Sequence, residues 1–300
     1  MKFSLSSVFI ILCLIAISSC STPSPKSDPD MEEWISLFNG KDLTGWDIKI
    51  TGRPLNDNFL NTFRVEDSML RISYDQYENF GTYYGHLYYQ KPYSYYKLKF
   101  DYRFLGEQTP GGAVWNVRNS GVMLHSQSAE SVGIDQEFPV SIELQTLGGL
   151  GDGPRTTANL CTPGTMVEME GELTRDHCID SRSQTYDGDQ WVSVEAVVLG
   201  DSVVYHIIGP DTVLTYNKPQ IDGIFVSESY NWAEAGVPNP EEWAKKEGTP
   251  LASGYIALQA ESHPIDFRNI ELLDLEGCMD PKAVNYKSYY IKSAPEKCEY

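Results

Sequence analysis

The 300-residue chain carries 42 Asp and Glu against 23 Lys and Arg, a formal net charge of −19. So acidic a surface repels phosphate backbones and excludes nucleic acid as a partner, while neutral ligands such as sugars are unaffected. Its apolar content of 41 % is that of a chain able to build a sizeable core.

At the start, Lys2 precedes an apolar run from Val8 to Ile17 that closes in Ile17-Ser18-Ser19-Cys20. The run is too short for the ~20 residues that a membrane span needs. Small residues followed by a cysteine match a bacterial lipoprotein signal peptide over 1–19, with Cys20 as the lipid-modified first residue. The Ser/Pro/Asp-rich stretch that follows, 20–33, reads as a flexible tether. The expected location is therefore outside the cytoplasm, anchored to the cell envelope through lipid on Cys20.

Residues 34–275 alternate short aromatic and β-branched segments with Gly, Pro, Asn and Asp clusters. Examples are "YKLKFDYRFL", "SGVMLHS", "VSIELQTL", "WVSVEAVVLG" and "GYIALQA". So many short strands with almost no helical periodicity predict an all-β, two-sheet sandwich forming one domain. The tyrosine-rich stretch Tyr74 to Lys97 fits an edge pair stabilised by cross-strand aromatic contacts better than a sugar-stacking strip. The one helical segment, "NPEEWAKKEG" at 239–248, sits in an insertion between Ile224 and Pro250. A surface excursion is the expectation there and a lid the alternative.

Export places the remaining cysteines in an oxidising compartment, and an even number there predicts two disulfides. Proximity favours Cys161 with Cys178 and Cys278 with Cys298, among three connectivities. The second pair frames a tail at 276–300.

Side chains alternate across a strand. In "NSGVMLHS", Val122 and Leu124 share the core face, which leaves Asn119, Gly121, Met123 and His125 on the other. Ile142 and Leu144 likewise leave Ser141, Glu143 and Gln145 outward. Ile256 and Leu258 leave Tyr255, Ala257 and Gln259, with Glu261 and His263 beyond them. Any one-sided antiparallel sheet shows such alternation. A merely solvated face collects Lys, Thr and Ser, however, whereas amides, imidazoles and a carboxylate beside Trp115 and Tyr255 suit a cleft for hydroxyl-rich ligands. The Gly-rich connection Gly148 to Thr165 supplies Arg155 and Asn159 and is pinned by Cys161. It lacks the Gly-Lys-Ser/Thr of a phosphate loop.

"LFNGKDLTGW" near the start, "NSGVMLHS" and "SIELQTLGG" in the middle, and "GYIALQAESHPIDFRNIELLDL" at the end together resemble the 3-keto-disaccharide hydrolase domain family. The resemblance implies a concanavalin A-like jelly-roll sandwich acting on glycosides already oxidised at C3, supplied by an upstream sugar oxidoreductase. A 3-ketone acidifies the C2 proton, so a base can start elimination of the aglycone from C1. An acid and donors for the enolate oxygen are also needed. Glu143, His263 and His125 are the candidate catalytic groups. Asn119, Gln145, Arg155, Asn159, Gln259, Glu261 and Trp115 are the candidates for holding the sugar. No cofactor is implied with certainty, and no ligand spacing demonstrates a divalent cation.

Two rivals stand beside this reading. Retaining sandwich glucanases carry Glu-x-Asp-x-x-Glu, and here the second and third positions are Gln145 and Gly148, so only a distant carboxylate such as Glu261 or Asp135 could complete a pair. The other rival is a carbohydrate-binding lipoprotein without catalysis.

Overall fold

The computed structural model describes residues 28–300, so the signal-peptide and Cys20 expectations lie outside the described residues. Two antiparallel sheets face each other. The first holds, in order, Cys178–Ile179, Asn159–Cys161, Ile142–Leu147, Asn119–Ser126, Tyr255–Ala260, Gly85–Tyr89 and Trp46–Ile50. The second is built around Tyr95–Phe104, which pairs with Val192–Leu199 on one side and Ile265–Asp274 on the other. This is an all-β, two-sheet antiparallel sandwich with the strand order of a jelly roll.

Period-two burial produces the core. Tyr96, Leu98, Phe100, Tyr102 and Phe104 alternate with half-buried residues along their strand. They pack against Val122, Leu124, Ile142, Leu144, Ile256 and Leu258 from the opposite sheet. Each such aliphatic side chain contributes ~1.5–3 kcal/mol on burial. Tyr74, Tyr77, Tyr84, Tyr93 and Tyr96 belong to this core, with edge-to-face contacts such as Tyr74–Tyr77 at 5.2 Å. Gly85–Tyr89 and Tyr95–Phe104 are interior strands, so the tyrosine-rich stretch is core and not the predicted edge pair.

The outer face of the first sheet is not left to solvent. Every residue of Asn119–Ser126 is buried. Ala129 and Val132 cover Met123, Tyr88 and Ala257. The insertion after Ile221 covers the neighbouring region, with Phe225, Trp232, Ala235 and Val237 forming a small core against Val140 and Ile221. Its helix, Pro240–Ala244, is one turn long, and Trp243 stacks on Trp232 at 5.6 Å. Arg175 ties the insertion down through Asp222, at 3.0 Å, and Glu247. The expected surface excursion is thus a packed wall.

The Gly-rich connection returns as Asn159–Cys161, paired with Glu143–Gln145. Disulfides join Cys161 to Cys178 and Cys278 to Cys298. In the tail, Glu276–Gly277 pairs in parallel with Lys292–Ser293.

Candidate functional site

Strand register sets polar groups side by side across the first sheet. Lys49, His86 and Gln259 are successive partners on three strands, and Gly121, Gln145 and Asn159 on three others. A cavity of about 440 Å³ opens here, a volume typical of small-molecule sites. Seven of the sequence candidates line it: Glu143, Glu261, Arg155, Asn119, Gln145, Gln259 and Trp115.

The position of Glu143 depends on the strand beside it. A Cβ added to Gly121 would lie 2.4 Å from Glu143 Oε1 and 2.7 Å from its Cγ, so the carboxylate crosses the space that the glycine leaves. Gly121 is directly opposite Gln145. Glu143 therefore leans away from its own row, toward the end of the cavity that holds Asn119 and Glu261.

Glu143 and Glu261 are both almost wholly buried. Burial raises the affinity of each carboxyl for its proton, and the Glu143 charge raises Glu261 further, with Arg155 partly offsetting this. Like charges in a poorly solvated space resist double ionisation, so once one carboxyl has lost its proton the other holds its own more tightly. Arg155 is anchored by the main chain: its Nη1 donates to the carbonyls of Gly148 at 2.7 Å and Val117 at 2.8 Å. That fixes a guanidinium beside the pair without neutralising either carboxylate by direct contact.

Gln259 is fully buried, and among the described residues neither atom of its amide has a partner. Asn119 donates to the Trp115 carbonyl at 3.1 Å, and its Oδ1 has no partner among the described residues. Buried polar groups left unpaired each cost ~1–3 kcal/mol; a hydroxyl-rich ligand would recover that. Gln145 accepts from Asn159 Nδ2 at 3.2 Å. Asn159 itself lies behind the wall, accepting from Thr156 Oγ1 and the Ser181 N–H.

Two candidates lie elsewhere. His125 sits in a bulge, where Leu124 and His125 together oppose Ile256, and its φ of 49° turns the ring through the sheet. The ring meets Tyr96 edge-on at 5.9 Å, and Nε2 approaches the Gly200 carbonyl at 3.2 Å. His125 and Glu143 thus share a sheet but occupy opposite faces, because the bulge breaks the alternation on which the expectation rested. His263 follows Ser262, whose φ is 71°. That turn sends the imidazole to Phe104, at 5.5 Å, and into a separate shallow depression with Arg118. Burial lowers both imidazoles to about 4, so they are neutral at pH 7.

The sequence reading misses the opposite wall. Phe138, Pro163, Val226, Tyr230 and His177 line the cavity with the Cys161–Cys178 disulfide. None belongs to a polar strand face, and only the long insertion hinted at a covering element. His86 is buried behind this lining, against Phe138; among the described residues its Nε2 has no partner, and burial lowers its pKa to about 3. Among the described residues, no group of three or more His, Cys, Asp and Glu converges as a cation site would require.

A sequence model of the 3-keto-alpha-glucoside-1,2-lyase-like domain matches residues 33–273. The chain belongs to that family. Solved structures similar to this 3-keto-alpha-glucoside-1,2-lyase-like chain include two proposed glycosyl hydrolases from Parabacteroides distasonis. One is 20 % identical, with 80 % of this chain and 93 % of the other covered and a TM-score of 0.45. The second is 17 % identical, with 81 % and 99 % covered and a TM-score of 0.46. The carbohydrate-binding module CBM66 of Bacillus subtilis is 11 % identical, with 79 % and 99 % covered and a TM-score of 0.41. No curated protein matches the chain.

Proposed function

We propose that this cavity binds a glycoside oxidised to a ketone at C3 and releases its aglycone by elimination, with Glu143 as base and Glu261 as acid. The observation that carries the reading is the buried pair of carboxylates, both with proton affinity raised by burial and Glu261 raised further by the Glu143 charge, beside a fixed guanidinium. Once Glu143, whose pKa burial raises to about 8, has given up its proton, the pair keeps the other on Glu261 and supplies a base and an acid together. Glu143 ionises first, because its charge is what holds the proton on Glu261.

Glu143 takes the C2 proton, and the C–H electrons pass into the C3 oxygen as an enolate. Collapse of the enolate breaks the C1–O bond, and Glu261 delivers its proton to the departing aglycone oxygen. Water then adds at C1 of the unsaturated ketone, giving a proton to Glu261, while Glu143 returns its proton to C2. Both carboxyls end as they began. Arg155 and the unpartnered amide of Gln259 are the groups available to the enolate oxygen. An oxidoreductase acting on C3 would supply the substrate.

Ordinary glycoside hydrolysis is the second reading, because Glu261 provides the partner carboxylate that the Glu143 strand lacks. That mechanism needs one carboxylate held ionised as nucleophile. Elimination likewise needs Glu143 ionised, so the two readings are separated by substrate: hydrolysis acts on the unoxidised sugar, whereas elimination requires the ketone at C3. The test is to incubate the protein with a disaccharide and separately with its C3-oxidised form, with and without EDTA, and to follow release by chromatography. Release from the oxidised sugar alone, lost in Glu143→Gln, supports elimination. Cleavage of the unoxidised sugar transfers the reading to hydrolysis, and sugar binding without cleavage of either leaves a binding protein.

A further inference from the structure

The cavity is polarised along the strand Ile142–Leu147. At its Leu147 end are Asn119, the direct partner of Leu147, and Arg155, bonded to the Gly148 carbonyl. Its Ser141 end is built differently. Pro163 is beside Ser141, whose N–H donates to its carbonyl at 3.2 Å. The disulfide lies opposite Glu143, since Cys161 is the register partner of Glu143 and Cys178 of Cys161. The insertion reaches the same end, because Gly164 N–H donates to the Phe225 carbonyl at 2.8 Å. Val226 and Tyr230 continue this apolar wall, and Phe138 carries it across the sheet onto Tyr84, at 4.9 Å.

Hydrogen-bonding capacity follows the same gradient. The Tyr230 hydroxyl already donates to Glu137 at 2.8 Å. Among the described residues of this wall, His177 Nδ1 is the one buried polar atom without a partner. The sugar-like requirement, many directional donors and acceptors, is met at the Asn119 end and not here. Since Glu143 leans over Gly121 between the two ends, the bond to be broken would lie between a polar and an apolar half.

We infer that the wall of Phe138, Pro163, Val226, Tyr230 and the Cys161–Cys178 disulfide is a subsite for an apolar or aromatic aglycone, which makes the preferred substrate a glycoside of an apolar alcohol or phenol instead of a disaccharide. A second sugar placed there would lose water from its hydroxyls without finding partners, whereas a hydrocarbon ring would gain from leaving water. The inference rests on the proposed orientation of the sugar in this cavity.

The test uses unoxidised methyl and cyclohexyl glucosides and a glucosyl-glucose, in both anomeric series, titrated calorimetrically into the intact protein. Methyl and cyclohexyl alcohols differ in size but little as leaving groups, so binding and rate are comparable across them. The cyclohexyl glucoside should bind at least about tenfold more tightly than the methyl glucoside, from burial of its added methylenes, with the disaccharide no tighter than methyl. Val226→Ser should bring the cyclohexyl-to-methyl ratio to about threefold or less while the methyl affinity holds. Because Val226 is half-buried in the insertion, a melting curve checks that the variant is folded, and Phe138→Ala gives a second site for the same ratio. Equal affinity for methyl and cyclohexyl, a disaccharide that binds tightest, or no binding by any of the three overturns the inference.

The C3-oxidised methyl and cyclohexyl glucosides then separate this inference from the chemistry. Cyclohexyl preference in binding without alcohol release from either sustains the subsite and removes elimination. Equal affinity with release from both removes the subsite and sustains elimination.

Discussion

Gly121 makes room for Glu143: the side chain of one strand occupies the space where its neighbour would carry a Cβ, 2.4 Å from Glu143 Oε1. Gly121→Ala should therefore displace the carboxylate while the strand pairing survives. Misplacement of a reacting group by about 1 Å can cost ~100-fold, so the substitution should lower aglycone release by at least tenfold with KM little changed. A melting temperature within a few degrees of wild type, beside that loss, is the expected result.

Glu261→Gln should raise stability at neutral pH while abolishing release. The folded protein holds the Glu261 proton more tightly than the unfolded chain does. Stability from that group is therefore present below the ordinary carboxylate range, near pH 4.5, and is lost as pH rises above it. The variant removes this loss, so the stability difference between variant and wild type should grow from pH 4.5 upward. Urea titrations at several pH values measure it, and a difference that shrinks with rising pH would contradict the buried-pair assignment.

For His125 the sign is opposite. Burial lowers its folded-state pKa to about 4, so the unfolded chain binds more protons between about 4 and 6.5 and stability falls as pH drops through that window. His125→Phe should weaken this acid sensitivity and leave sugar binding unchanged, because the ring lies against Tyr96 on the core side. Thermal melts at pH 4.5 and pH 7 decide it.

Gln259→Leu should stabilise the empty protein and weaken the complex. Removing an amide whose two ends are unpartnered should gain ~1–3 kcal/mol, while sugar affinity falls at least about tenfold. Calorimetric binding and urea unfolding on the same variant check both halves.

Loss of the Cys161–Cys178 bridge should cost ~3 kcal/mol, the value for closing a loop of about this length, and should also loosen the cavity wall that the bridge forms. Replacing Cys278 and Cys298 should destabilise the tail without changing sugar affinity. The pair of double variants, compared in melting temperature and binding, tests the division.

Composition and local pattern determined the sandwich. Alternation marked Val122, Leu124, Ile142, Leu144, Ile256 and Leu258 as core, because a strand has no other way to separate its two faces. The same alternation carried Asn119, Glu143, Gln145 and Gln259 to one wall, and the spacing of the cysteines pointed to both bridges. Tertiary structure decided what a period of two cannot carry. A bulge at His125 and a left-handed residue at Ser262 reversed the facing of two histidines, and local pattern gives no notice of either. The partnership of Glu143 with Glu261 spans 118 residues of sequence and exists because the strand Asn119–Ser126, with glycine at 121, lies between their own. The apolar wall of Phe138, Val226 and Tyr230 arises only when the insertion folds back on the sheet, since its residues are ordinary in sequence and acquire a role from what they cover.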